Sequence, residues 1–431
     1  MCRLLLVVAV GVFAFGGAFG GLARAEAPGT LSSETAVGLA MSRNRDVIGA
    51  RLDLRAIEVE RLTARLYPNP ILTYTIGNLV LGRGNDQLVG ARPGFADEAV
   101  HVLGVSEVID IWAKRSAKIR VADRGIEHQR LVLEDALREI AYDVRAAFAE
   151  VLREQSERSL ASDAGARYDE TVRLTRARRA AGEISDTELK KVELEGLRYQ
   201  NAIIDADTQL DLARQKLAVL LALRSVGELP GELVDDDFAR ATLSADKLVE
   251  RALELRPDWR AVRAERLRAE ASVSQARREA LPDVSLGVGY THSNFTIAGD
   301  NANTLSLSAS LPLPIFDRNQ GNIARAHVDV QRADNEAQRI ELQVRHEVAE
   351  AVRRSARSAK LVGIYEGGML ERADAALRVA EKSYKAGAVS LLELLEAQRT
   401  YLEVRGAYLR ALHDYRQANI DVIHVVGGQT N

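Results

Sequence analysis

The feature that most constrains this chain is where its prolines are not. The nine prolines stand at positions 28, 68, 70, 93, 230, 257, 282, 312 and 314, so residues 94–229 and 315–431 contain none. A proline inside a helix costs about 3 kcal/mol, and two stretches of over a hundred residues are therefore free to be helical. Residues 114–181 alone would run about 100 Å at 1.5 Å per residue, far too long for an ordinary globular domain. Leu133, Leu137, Ile140, Val144, Ala147 and Val151 alternate spacings of 4 and 3, the seam of a coiled coil. Leu394, Tyr401, Tyr408 and Tyr415 recur every seventh residue in the last such stretch.

The helical stretches belong to an internal duplication. Ala40, Asn44, Asp46 and Pro70 answer Ala252, Arg256, Asp258 and Pro282 at an offset of 212. Further on, Ala181-Gly182-Glu183-Ile184-Ser185 with Glu188-Leu189 answers Ala386-Gly387-Ala388-Val389-Ser390 with Glu393-Leu394 at an offset of 205. Each half is expected to run helix, extended segment, long helix, small tip, helix. The first repeat is placed at 26–229, with strands at about 71–78 and 99–111 and long helices at about 114–181 and 185–223. The second is placed at 246–431, with strands at about 283–292 and 303–312 and helices at about 318–386 and 390–425. Pro230-Gly231 and the acidic run Asp235 to Asp237 mark a connector at 230–245.

Between the helices the hydrophobic period switches to two. Leu72, Tyr74 and Ile76 alternate with Thr73, Thr75 and Gly77. Val284, Leu286, Val288 and Tyr290 alternate with Ser285, Gly287, Gly289 and Thr291, and Leu305, Leu307, Ala309 and Leu311 with Thr304, Ser306, Ser308 and Ser310. The strand near Ala99 to Ile111 alternates poorly because Glu107 interrupts its apolar side. Each run is near the length that a tilted transmembrane strand requires, with one face suited to lipid and one to water. Tyr67, Trp112 and Phe316 stand near strand ends, where an interfacial girdle would lie. The polar segments Gly82 to Asp97 and Asn294 to Asn303 are expected as extracellular loops. Four strands cannot close a barrel, and an open edge in lipid leaves backbone groups unpaired at several kcal/mol each. The chain must then share its barrel with other copies, three of which would supply twelve strands. The alternative from these segments alone is a soluble sandwich among long helices.

The N-terminus fits export. Met1, Cys2 and Arg3 precede the apolar run Leu4 to Phe15, and Ala23-Arg24-Ala25 forms an A-x-A site, so residues 1–25 read as a signal peptide cleaved between Ala25 and Glu26. The apolar run is short of the roughly 20 residues of a spanning helix, which disfavours an uncleaved anchor. Cys2 leaves with the signal, which removes disulfides, thiolate metal sites, a cysteine nucleophile and a lipid-bearing cysteine from the mature chain. Loss of Arg3 and Arg24 takes Lys+Arg from 58 to 56 against 61 Asp+Glu, a mature charge of −5. That balance argues against a nucleic-acid partner.

Over nearly its whole mature length the chain resembles the TolC-like outer-membrane factors of tripartite efflux pumps. The resemblance rests on the duplicated plan and on three strings. Leu66-Tyr67-Pro68-Asn69-Pro70 resembles the family's PNP turn. Glu107-Val108-Ile109-Asp110-Ile111-Trp112-Ala113-Lys114-Arg115 resembles its strand-to-helix return, with Ala113 in place of the usual glycine. Pro312-Leu313-Pro314-Ile315-Phe316-Asp317-Arg318-Asn319-Gln320-Gly321 is similar to the CzcC-like branch, which serves heavy-metal cation pumps. The resemblance implies an α+β membrane protein: four transmembrane strands per chain, a 12-stranded barrel as a homotrimer in outer-membrane lipid, and a long coiled-coil tunnel in the periplasm of a Gram-negative cell. It implies passive export, with an inner-membrane RND-type pump and a periplasmic membrane-fusion adaptor as partners. Gly182, Ser185, Glu188, Gly387 and Ser390 are then the adaptor-facing tips, and Glu393 and Glu396 match the family's paired acids at the tunnel entrance. Their i, i+3 spacing puts both carboxylates on one helical face. The bland alternative is two glutamates on a solvated face. A basic latch residue found in some relatives is not evident, Val389 standing near its place.

No enzyme and no cofactor is expected. Histidines 101, 128, 292, 327, 346, 413 and 424 show no pair at metal-ligand spacing, and Asp235 to Asp237 lack a calcium-loop pattern. Phosphate-loop, dinucleotide and G-x-S-x-G motifs are missing. Three functions remain: export of divalent heavy-metal cations, export of organic compounds or a secreted protein through the same architecture, and a soluble periplasmic coiled-coil scaffold.

Overall fold

A computed structural model describes residues 31–79, 95, 96, 98–230, 233, 245–294 and 300–428. The expected signal peptide, with its cleavage site at Ala25 and Glu26, lies outside these residues. So do most of the connector and most of the two expected loops. The first half of the chain folds as α1 (Ser33–Arg43), α2 (Arg45–Arg65), β1 (Ile71–Gly77), β2 (Val100–Ile109), α3 (Lys114–Ala180) and α4 (Asp186–Leu220). The second follows the same order as α5 (Ala245–Leu255), α6 (Pro257–Glu279), β3 (Val284–Ser293), β4 (Asn303–Ser310), α7 (Gln320–Ile364), α8 (Leu370–Lys385) and α9 (Leu391–Val426). The long helix expected over 318–386 is in two pieces. Tyr365–Met369 forms one wide π-helical turn in which Gly367 and Gly368 leave helical geometry, Gly368 at φ 119°. Proline counting misses this, because glycine breaks a helix through its backbone freedom rather than a missing donor. Tyr408 braces the break, its hydroxyl donating to Glu366 at 3.2 Å.

The four strands make one antiparallel sheet in the order β1-β2-β3-β4. The register sets Leu72 opposite Val105, Val105 opposite Val288 and Val288 opposite Leu307, so the apolar residues of all four strands share one exposed face. Glu107 lies on that face opposite Leu286, within a strand that continues to Ile109. The other face carries Val100, Val102 and Val108 of β2 among mostly small residues, which fit closely between β3 and β4. A Cβ added at Gly287 would stand 2.6 Å from the Ser308 hydroxyl, and one at Gly289 would stand 2.8 Å from that of Ser306.

Sheet and helices join through two elbows that need a left-handed residue, which the chain meets with Ala113 (φ 55°) and Asn319 (φ 58°). In the first elbow, Asp110 accepts from the backbone N–H groups of Lys114 and Arg115, which start α3. The Lys114 ammonium pairs with Asp283 at 2.7 Å, and Arg115 donates to the Tyr67 hydroxyl and to the carbonyl of Arg65. The basic pair of the return motif therefore clamps the elbow to the starts of β3 and β1. In the second elbow, Asp317 accepts from the N–H of Asn319, whose side-chain amide donates to the carbonyl of Ala276 on α6.

Each repeat closes its own core where its short first helix meets the long ones. Ala36, Ala40 and Val47 pack against Val144, Phe148, Val151, Leu217 and Leu221. Leu248, Val249 and Ala252 pack against Val344, Val348, Val422 and Val425. Ala40 and Ala252, equivalent in the duplication, are both fully buried. Their neighbours Asn44 and Arg256 are buried too, and each reaches the end of its repeat's last helix: Asn44 donates to the carbonyl of Leu220, Arg256 to that of Val425. Those two carbonyls are themselves 205 residues apart. Arg256 also binds Asp258 and Glu347, while Arg138 of α3 binds Asp135, Glu139 and the carbonyl and ring of His424. This node ties α3, α6, α7 and α9 together across the repeats.

Two tests follow from these junctions. Ala113→Gly should raise stability by about 0.5–1 kcal/mol, because alanine carries a left-handed penalty that glycine lacks; an increase in thermal midpoint checks it. Burial, with Arg138 and Arg256 beside it, lowers the His424 pKa from 6.5 to about 4. The unfolded chain therefore binds this proton more readily, so the stability is complete above pH 6.5 and lost as pH falls towards 4. The thermal midpoint should fall across that window, by on the order of 2 kcal/mol of stability, and His424→Gln should remove this component of the slope.

Candidate functional site

The tips of the two helical hairpins are built alike. After α3, Gly182 takes φ 77° and Glu183 donates its N–H to the carbonyl of Arg178; after α8, Gly387 takes φ 73° and Ala388 donates to Ser383. Both are glycine-terminated helix ends that satisfy otherwise orphan carbonyls. Each returning helix opens on a reciprocal capping box. The Ser185 hydroxyl accepts from the N–H of Glu188, whose carboxylate accepts from the N–H of Ser185. Ser390 and Glu393 repeat the arrangement. Gly182, Ser185, Glu188, Gly387 and Ser390 are all exposed, so both tips present their turns to the surroundings.

The two glutamates expected at the tunnel entrance are not equivalent. Both are exposed, one turn apart on α9. Glu393 spends its carboxylate on the capping box, as its repeat partner Glu188 does. Glu396 has no such duty, and its charge bears on Arg399 one turn further on. The first repeat carries Lys191 at the corresponding place. The helix start therefore explains one glutamate and leaves the other to be explained.

Sequence reasoning missed the contacts that hold the second hairpin against the first. Tyr384 is 3% exposed, with the Arg178 guanidinium 4.9 Å over its ring and its hydroxyl 3.3 Å from that of Thr175. Gln398 donates to the Thr171 hydroxyl at 3.2 Å. Arg167 pairs with Glu381 at 3.6 Å, and Lys385 approaches Glu170 at 3.9 Å. A cleft of about 350 Å³ lies among Arg167, Glu170, Thr171, Glu381, Tyr384 and Lys385. A basic residue thus does clasp the second tip, but it comes from the α3 end, more than 200 residues before Val389. Only the duplication, by aligning the two hairpins, could have suggested it.

Among the described residues no group of three or more His, Cys, Asp or Glu is placed to hold a metal, and no helix is long and apolar enough to cross a membrane. Two helical hairpins hung from one small sheet, with capped tips at the far end, make the fold of the TolC-like outer-membrane channels. The crystal structure of CusC superposes with a TM-score of 0.74 over 92% of each chain at 18% identity. The chain is 28% identical over 404 residues to the cobalt-zinc-cadmium resistance protein CzcC of Cupriavidus metallidurans, covering 93% of this chain and 91% of that one. It is 24% identical over 353 residues to the pyoverdine export outer membrane protein OpmQ of Pseudomonas putida, covering 81% and 75%. The family described as Outer membrane efflux protein matches residues 36–223 and 248–428, one segment in each repeat, and the chain belongs to that family. It is an outer-membrane efflux channel protein, of a family whose members are channels rather than enzymes.

Glu393→Ala should loosen the second tip by about 1 kcal/mol through loss of the cap, whereas Glu396→Ala should not. Amide hydrogen exchange at residues 390–394 checks this: faster exchange is expected in the first variant alone.

Proposed function

We propose that three copies of this chain share one 12-stranded barrel and one periplasmic tunnel, and that the tunnel passively conducts divalent heavy-metal cations. The cations would be delivered by an inner-membrane RND-type pump through a periplasmic adaptor. The observation that carries the cargo assignment is the similarity to CzcC, which spans nine-tenths of both chains. The acidic position peculiar to the second tip supports it, since threefold repetition of Glu396 would ring the entrance with carboxylates, and acidic rings favour cations. Glu393 would add a second ring while capping its helix. The five exposed tip positions 182, 185, 188, 387 and 390 would face the adaptor. The clasp of Arg178, Thr171 and Thr175 on Tyr384 and Gln398 would hold the entrance narrow until the second hairpin swings away.

A second reading, export of an organic compound, is favoured by the similarity to OpmQ, a pyoverdine export protein by its description. Fold does not choose between the two. Deletion of the gene, with growth measured across cobalt, zinc, cadmium, nickel and copper beside dyes, detergents and antibiotics, does choose. Selective loss of metal tolerance, restored by the intact gene, is expected; sensitivity to organic compounds alone would overturn the metal assignment. In planar bilayers, Glu396→Gln should lower the preference for cations over anions in a salt gradient. An unchanged reversal potential would remove Glu396 from the pore.

A further inference from the structure

The histidines look scattered in sequence, yet the sheet brings two of them together. His101 on β2 and His292 on β3 are direct partners in the antiparallel register, 191 residues apart along the chain. Their ring centres are 6.5 Å apart and their planes differ by 27°. Both are half-buried, and both stand on the apolar face, one pleat beyond Leu103 and Tyr290, at the end of the sheet away from the helices. The strands there are closed by fixed backbone bonds, Asn294 donating to the carbonyl of Ala99 and Ser293 to that of Ala302.

Each ring is also held at its inner nitrogen. His292 Nδ1 lies 2.9 Å from the Asn303 amide oxygen, which also accepts from the Tyr290 hydroxyl at 2.6 Å. An oxygen acceptor there puts the proton on Nδ1 and leaves the Nε2 lone pair free. His101 Nδ1 lies 2.9 Å from the Tyr74 hydroxyl, whose rotation lets it accept the Nδ1 proton in the same way. An imidazole that donates at one nitrogen and presents the other is the usual state of a histidine metal ligand. Metal–nitrogen bonds of about 2.0–2.1 Å at tetrahedral or square angles place two imidazole centres roughly 4.5–5.5 Å apart, so the rings, now 6.5 Å apart, would swing about 1 Å towards each other to share an ion.

We propose that His101 and His292 form a two-histidine site for a divalent transition-metal cation such as Cu²⁺, Ni²⁺ or Zn²⁺, bound through both Nε2 atoms with water completing the shell. β2 and β3 are the inner strands of the sheet, so each chain carries the whole site. The site lies on the face away from the proposed lumen and is distinct from the entrance glutamates. Its location at the outer end of a barrel rests on the proposed assembly; the binding itself does not, and the two fail separately.

The test is a Cu²⁺ titration of the detergent-solubilised full chain, read by electron paramagnetic resonance and by competition with a chelating indicator. Wild-type protein, His101→Gln, His292→Gln and the double variant are compared, so that the other five histidines cancel in the differences. The expected result is one Cu²⁺ per chain with a two-nitrogen signature, weakened at least tenfold by either single change and no further by both. Circular dichroism confirms that the variants fold, and a rise in thermal midpoint with added Cu²⁺ is expected in the wild type alone. Single variants that bind as the wild type does, or losses that simply add, would show two independent histidines and overturn the site. Zn²⁺ in competition with the indicator should give the same order among the four proteins; a Zn²⁺ affinity indifferent to both histidines would also overturn it.

Discussion

The backbone groups on the open edges of β1 and β4 are the constraint on which the rest depends. A strand of seven to ten residues carries a row of N–H and C=O groups on each side, and this sheet pairs only three of the four strand boundaries a closed ring of such units would need. In water the edges could be solvated; against lipid each unpaired group costs several kcal/mol. The exposed face of leucine, valine and tyrosine makes lipid the surroundings that suit the sheet. Pairing with further copies of the chain would satisfy both facts, β1 of one copy meeting β4 of the next, and the proposed trimer is one ring that does so. The close fit of Gly287 and Gly289 under the serines of β4 agrees with a sheet curved towards its small-residue side.

The large elements were legible in sequence for a simple reason. Periods of two and of three to four, sustained over many residues, are repeated twice in this chain, so each half checks the other. Ala40 and Ala252 were paired by offset alone, and both are fully buried in equivalent cores. What escaped notice was backbone or tertiary in origin. The wide turn at Gly367 and Gly368 has no counterpart in the unbroken 67 residues of α3, so the duplication argued for continuity just where the repeats differ. Ala113 was visible as a departure from a glycine pattern, but its left-handed φ belongs to the elbow, not to the residue. The clasp of Arg178 on Tyr384 and the facing of His101 with His292 join the two halves across about 200 residues, a separation no local pattern encodes.

The candidate entrance was read in sequence as a pair of acids, and the structure gives reason to treat the two separately. A glutamate three residues after a capping serine is what any helix start of this type prefers, so Glu393 would stand where it does in a protein with no pore at all. Its repetition as Glu188 in the first hairpin says the same. Glu396 breaks the duplication, replacing the sign of charge found at Lys191 on an otherwise equivalent turn. Differences between repeats, rather than likenesses, are thus where the function of a duplicated chain can be sought. The second hairpin concentrates them: an acid near its tip that caps no helix, an aromatic residue gripped by the first hairpin, and a glycine break in its descending helix some 27 Å from the turn at 1.5 Å per residue. A rigid rod clasped at its end can move only as a whole. In the proposed opening, the break would let α8 bend below it while the sheet, the elbows and the buried arginine node hold α7 and the end of α9 in place.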